Sequence, residues 1–178
     1  MPSPQLVGFE HRVIVGIADL AVSNNPSVTL TTYSLGSCLA VAIFDPVVRV
    51  GGLLHIMLPD SSIDPVKAAA QPGMFVDTGV ATLFRSAYQL GAEKMRLRIA
   101  VAGGSQIMDT GGFFNIGRRN QEALTQLFQR HGLRVAAEQV GGLVNRTVYL
   151  SLSTGEVRLK VSGQVAETVL LCGNSTTT

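Results

Sequence analysis

Cysteine is scarce in this sequence and tryptophan is absent: two thiols, Cys38 and Cys172, occur in 178 residues. Two cysteines so far apart, the second close to a Ser/Thr-rich tail, do not build a disulfide scaffold, so free thiols in a reducing compartment are expected. Charge is sparse too, at 15% Asp, Glu, Lys and Arg with a net +2. The basic residues are scattered, which excludes the electrostatic footprint of a nucleic-acid binder; Arg118-Arg119, the densest spot, reads as the solvated first turn of a helix. No apolar run approaches the roughly 20 residues that cross a bilayer, so no membrane insertion is expected. Residues 1–10 hold two prolines and no apolar stretch ahead of a small-residue cleavage site. A secretion signal is therefore not read there, and a cytoplasmic location is the expectation.

Metal and cofactor signatures are missing as well. Three histidines at no ligand spacing and two distant cysteines do not make a metal cage. Gly103-Gly104 and Gly141-Gly142 lack both the lysine of a P-loop and the three-glycine dinucleotide pattern, so they read as tight turns and no cofactor is expected. His11 and His131 read as surface residues, His131 near a helix C-terminus where a cation is favoured.

What is present is a chain with 46% apolar residues, enough to bury one core. Residues 1–173 read as a single domain, and 174–178, with no apolar anchor, as a disordered tail. β-branched or alternating runs predict strands over 13–17, 28–33, 39–44, 48–58, 95–102, 133–137, 147–152 and 157–161, with a turn at Asn24-Asn25-Pro26. Apolar residues at spacings of three and four predict helices over 72–89 and 118–131, stopped by Gly91 and Gly132, with a glycine-rich loop over 109–117 before the second. Two helices against about eight strands are not a regular β-α alternation. The fold class expected is α+β, with the helices packed on one face of the sheet structure.

Cys38 carries the chemical interest. It follows Gly36-Ser37 at the mouth of the apolar run Leu39-Ala40-Val41-Ala42-Ile43-Phe44, and His55 lies on the next predicted strand. If the intervening turn centres on Asp45 to Val48, Cys38 and His55 are equally far from it and pair across the hairpin. A histidine beside a thiol supplies a base, Gly36 lets the backbone turn sharply, and the N–H groups of Ser37 or Cys38 can face a developing oxyanion. Thr32, six residues before the thiol, can orient the imidazole through its hydroxyl; Thr31 and Ser34 are local competitors. From spacing alone the pair reads equally as a buried core cysteine and a satisfied interior histidine.

The run Leu35-Gly36-Ser37-Cys38-Leu39-Ala40-Val41, then Asp45-Pro46, then Gly51-Gly52-Leu53-Leu54-His55-Ile56-Met57-Leu58-Pro59-Asp60, resembles the signature blocks of the CheD family of chemoreceptor glutamine deamidases. Gly103-Gly104, Ile116-Gly117-Arg118-Arg119-Asn120 and Gly141-Gly142 with Arg146 follow in the family's order. The resemblance implies a layered α/β/β sandwich with mixed sheets and two main helices on one face, similar to the catalytic domain of the cytotoxic necrotizing factor toxins. It implies hydrolysis of particular glutamine side chains on the cytoplasmic helices of methyl-accepting receptors, and of some glutamate methyl esters. Carried over by position, the nucleophile falls on Cys38, the base on His55 and the triad threonine on Thr32. A CheC-type phosphatase is an implied partner, and a non-catalytic regulator docking on such a phosphatase is the alternative function; a cysteine amidase or esterase of another protein is a further one. Where family members carry Lys-x-Phe near the partner-binding surface this chain has Ala100-Val101-Ala102, and Ser105-Gln106-Ile107-Met108-Asp109 also departs from the family form.

Overall fold

The computed structural model describes residues 10–107 and 114–173. The chain runs through β1 (His11–Ile14), β2 (Leu20–Ser23), β3 (Val28–Leu35), β4 (Leu39–Asp45), β5 (Val50–Ile56), α1 (Pro65–Ala70), α2 (Val76–Gln89), β6 (Arg98–Gly103), α3 (Ile116–Arg130), β7 (Ala137–Val140), β8 (Arg146–Ser151), β9 (Val157–Val161) and β10 (Thr168–Leu171). The class is α+β. One five-stranded sheet has the order β1-β3-β8-β9-β10 and the other β2-β5-β4-β6-β7. Each is mixed: β1 runs parallel to β3 and β7 parallel to β6, while the other pairs are antiparallel.

Strand β4 explains the layering. Successive side chains point to opposite faces of a strand, and in β4 both faces are apolar and all seven residues buried. Ala40, Ala42 and Phe44 pack with Leu30, Val148, Leu150 and Leu159 between the two sheets. Leu39, Val41 and Ile43 pack on the other side with Val80, Leu83, Leu124 and Phe128 from α2 and α3. The arrangement in depth is helices, then the β4 sheet, then the β8 sheet.

Several elements differ from the sequence reading. Strands β2 and β10 are additional; each has four residues without a clear alternation, which leaves no periodic signal. The strand expected over 133–137 is β7, which starts at Ala137; it is an edge strand, where Glu138 faces water. The first strand ends at Ile14 and not at Ile17, and the strand expected to start at residue 95 begins at Arg98 after a 3-10 turn over Lys94–Arg96. The first long helix begins at Val76, with a separate 3-10 turn over Pro72–Met74. Helix α1 is new, although Asp64 accepting from Lys67 N at its start and Pro65 at its first position form a readable cap. Ala100, Val101 and Ala102 lie buried within β6, so this departure from the family form is core packing and not partner surface. The tail 174–178, the first nine residues and part of the 109–117 loop lie outside the described residues.

At its closed end the β4–β5 hairpin is held by a polar anchor. Asp45 is fully buried. It accepts from Val47 N and Glu93 N, both at 2.9 Å, and from the Arg96 guanidinium at 2.9 Å. Burial pushes this carboxyl up, but the backbone N–H groups and Arg96 outweigh it and hold the group below the ordinary aspartate value. Asp45→Ala leaves two N–H groups without their acceptor and Arg96 with only Glu93 and the Gly91 carbonyl, and is expected to cost about 3 kcal/mol. Urea unfolding of the variant against the parent protein checks this; an unchanged midpoint would contradict it.

Candidate active site

Cys38 sits in the loop 36–38 between β3 and β4, half-buried, while Thr32 on β3 and His55 on β5 are buried. The loop forms because β3 breaks its ladder: the register with β8 shifts between Thr32 and Leu35, and Ser34 takes a left-handed φ of 57°. All three carbonyls of the loop are tied inward. Gly36 O accepts from Ser105 N at 2.8 Å, Cys38 O from Gly104 N at 2.7 Å and Ser37 O from Asn120 Nδ2 at 3.1 Å. The approach of loop 103–105 requires glycine at position 103, where φ is +108° and a Cβ would collide with the Cys38 carbonyl oxygen.

The hairpin register differs from the sequence reading by two residues. Asp45 opposes Val50, so the turn centres between Val47 and Val48, and Ala40, not Cys38, opposes His55. Arg49 at φ 53° in that turn makes the difference, which no composition signal announces. Because the shift is two residues, face parity survives: Cys38, two residues before Ala40, packs against the same inter-sheet cluster as Ala40, the residue opposite His55.

The structure brings Thr32 and His55 together across the inter-sheet layer, with Thr32 Oγ1 2.7 Å from His55 Nδ1. The same hydroxyl donates to Val15 O at 2.7 Å. A hydroxyl has one proton, so toward the imidazole Thr32 accepts; Nδ1 carries the hydrogen and Nε2 the lone pair. His55 is also held by its main chain, donating to Asp19 O and accepting from Ala18 N, both at 2.9 Å. Of the competitors, Ser34 is exposed, and Thr31 Oγ1 is buried with no partner among the described residues.

Electrostatically the site rests neutral. Burial pushes the imidazole of His55 down to about 4, and burial also raises the Cys38 thiol, an effect its own backbone N–H partly offsets. His55 Nε2 is buried and has no hydrogen-bond partner among the described residues. Thiol and imidazole are thus not joined in this geometry; catalytic hydrogen bonds often tighten only when substrate is bound.

Beside the loop, a cavity of about 280 Å³ is lined by Ser37, Ser105, Gln106, Phe114, Asn115, Ile116 and Gly117. A second cavity, about 210 Å³, lies between α2 and α3 against Val80, Phe84 and Leu127, and none of Thr32, Cys38 and His55 lines it. Ser105 and Asn120, which brace the loop, were visible in the sequence only within departing or matching motifs. A signal for Asn120 existed: it falls on the helical stripe of Gly117, Leu124 and Phe128, and the structure buries all four. Arg146 donates to Ser105 Oγ at 2.7 Å and to Gln139 Oε1 at 2.9 Å, completing the support behind the loop. Arg118 is, as read, a solvated helix residue, paired with Glu122 at 2.8 Å.

The family described as CheD chemotactic sensory transduction matches residues 57–161. Curated relatives extend the match over the thiol segment. The chain is 51% identical over 151 residues, 85% of its own length and 94% of the relative's, to "Probable chemoreceptor glutamine deamidase CheD 1" of Syntrophus aciditrophicus. It is 45% identical over 154 residues to the protein named "Probable chemoreceptor glutamine deamidase CheD 2" in Anaeromyxobacter dehalogenans, covering 86% of this chain and 97% of that one. To "Probable chemoreceptor glutamine deamidase CheD" of Solibacter usitatus it is 42% identical over 159 residues, 89% and 94% of the two chains.

A histidine held at about 4 when folded and near 6.5 when unfolded binds more protons in the unfolded chain between those values. Its contribution to stability is full above pH 6.5 and falls as pH drops through that window, the loss reaching about 3 kcal/mol by pH 4. Urea unfolding at pH 7.5 and pH 4 on the parent protein and on His55→Gln measures the difference. Equal pH dependence in the two would contradict the neutral buried imidazole.

Proposed function

The chain belongs to the CheD family, and from that premise we propose that it is a protein-glutamine deamidase whose substrates are glutamine side chains of chemoreceptors. The names of its relatives supply the substrate class. The observation that carries the chemistry is the Thr32 hydroxyl, which spends its proton on Val15 O and so accepts from His55 Nδ1. That bond leaves Nε2 as the basic nitrogen of a neutral imidazole, in the inter-sheet layer against which Cys38 also packs.

With both groups neutral, the reaction does not begin from a stored ion pair. His55 Nε2 takes the thiol proton as Cys38 Sγ attacks the carboxamide carbon, and the N–H groups of the 36–38 loop receive the oxyanion. The imidazolium then gives its proton to the departing ammonia, leaving a γ-glutamyl thioester. Water, deprotonated by His55, attacks the thioester, and the proton returns to the thiol as glutamate leaves. Thr32 orients the ring but adds no negative charge, in keeping with an imidazole that protonates only near pH 4.

The same attack expels methanol from an ester, so receptor glutamate methyl esters are included in the proposal, and the reaction is assigned to the cytoplasmic part of the receptor. A CheC-type phosphatase is proposed as a partner that competes for the cleft beside Ser37. The layered fold supports the likeness to the cytotoxic necrotizing factor catalytic domain as a proposal of the same standing.

Incubation with a glutamine-bearing receptor fragment, followed by mass spectrometry for the amide-to-acid change, tests the function. Cys38→Ala is expected to abolish turnover. Thr32→Val, which frees the ring, is expected to lower kcat by about 100-fold, with Thr32→Ser restoring most of it. Conversion by Cys38→Ala at the parent rate would refute the mechanism, and no conversion by the parent protein on any receptor would favour the binding-only regulator.

A further inference from the structure

The β4–β5 ladder ends at the pair Leu39 and Ile56, one rung short of the thiol. The next rung would join Cys38 to Met57. In its place stands a side chain from α3: Asn120 Nδ2 donates to Ser37 O and to Met57 O, each at 3.1 Å. We infer that Asn120 is a positioning residue of the deamidation, an inference that rests on the function proposed above. It replaces the missing rung and fixes the Ser37–Cys38 peptide relative to the strand end that carries His55.

The orientation of its amide follows from its partners. Both neighbours are carbonyl oxygens, so the nitrogen must face them, and the flipped amide would set oxygen against oxygen. That choice leaves Asn120 Oδ1 buried and without a partner among the described residues. Packing alone does not call for this residue, since a leucine, with the same branching, would continue the buried stripe of Leu124 and Phe128 and remove the orphaned Oδ1, though it would leave the Ser37 and Met57 carbonyls without their donor. What leucine cannot provide is two donors reaching carbonyls on two different segments.

The consequence for the thiol comes from peptide geometry. All peptide bonds are trans among the described residues, so the Cys38 N–H points opposite to the Ser37 carbonyl. Holding that carbonyl against α3 therefore turns the Cys38 N–H away from the helix. This is the donor the oxyanion needs, and its direction is set by Asn120. Gly104 N and Ser105 N hold the flanking carbonyls but reach from one other loop; among the described residues, the Asn120 side chain alone bonds to both Ser37 and Met57.

The test uses Asn120→Leu and Asn120→Ala in the full chain, read by steady-state deamidation of a receptor fragment, by thermal unfolding and by alkylation of Cys38 with iodoacetamide. Asn120→Leu is expected to fold with a modestly lowered midpoint, keep KM within about threefold and lose about 100-fold in kcat per folded molecule, the scale of a small misplacement of reacting groups. Its alkylation rate should stay close to the parent's, because alkylation develops no oxyanion. A kcat within about threefold of the parent, a loss of kcat that tracks loss of folded protein, a matching loss of alkylation, or failure of both variants to fold would each overturn the assignment. A parent protein that deamidates nothing overturns the deamidase reading instead and takes this inference with it.

Discussion

Burial of the β4–β5 hairpin on both faces is the constraint from which the rest follows. A strand pair covered by helices on one side and by a second sheet on the other gives no polar group on it access to water. Asp45 meets that requirement at the closed end with Arg96 and two backbone N–H groups. Near the open end the Nδ1 of His55 meets it through Thr32, which belongs to the other sheet, while Nε2 is left to the chemistry proposed for the site. The two polar anchors do different work: one closes the turn, and the other ties the sheets together at the level of the thiol.

That cross-sheet bond also connects structure to reactivity. A carboxylate in place of Thr32 would have stabilised imidazolium and with it a thiolate; a hydroxyl whose proton is already committed to Val15 does neither. The carbonyls of the 36–38 loop, all drawn inward, complete a site in which the groups are aimed before any charge exists. Preorganised dipoles of this kind need not rearrange when charge appears.

Much of this was legible in the sequence, for reasons that can be named. The unbroken apolar run in β4 announced a strand buried on both faces, and the three-and-four spacing in α2 and α3 announced helices with one inward stripe. Thr32 was legible as one of three local hydroxyls; Ser34 is exposed and Thr31 is buried as deeply as Thr32, so it is the hydrogen bond to His55 that distinguishes Thr32. What could not be read was long-range or a register shift of two residues. The left-handed Arg49 shifted the register, β2 and β10 are too short to carry a period, and the contact of Asn120 with Ser37 spans 83 positions. Family resemblance named the residues of the site but left these supports without a role.

The raised thiol has one more consequence, for the life of the protein in the cell. Peroxide and other oxidants attack the thiolate, and sulfenic acid formation follows the ionised fraction and exposure of a cysteine. Cys38 is half-buried and held protonated by its surroundings. Under the proposed mechanism, a nucleophile kept in that form would oxidise more slowly than a standing thiolate, at the cost of having to generate its reactive form anew in each turnover.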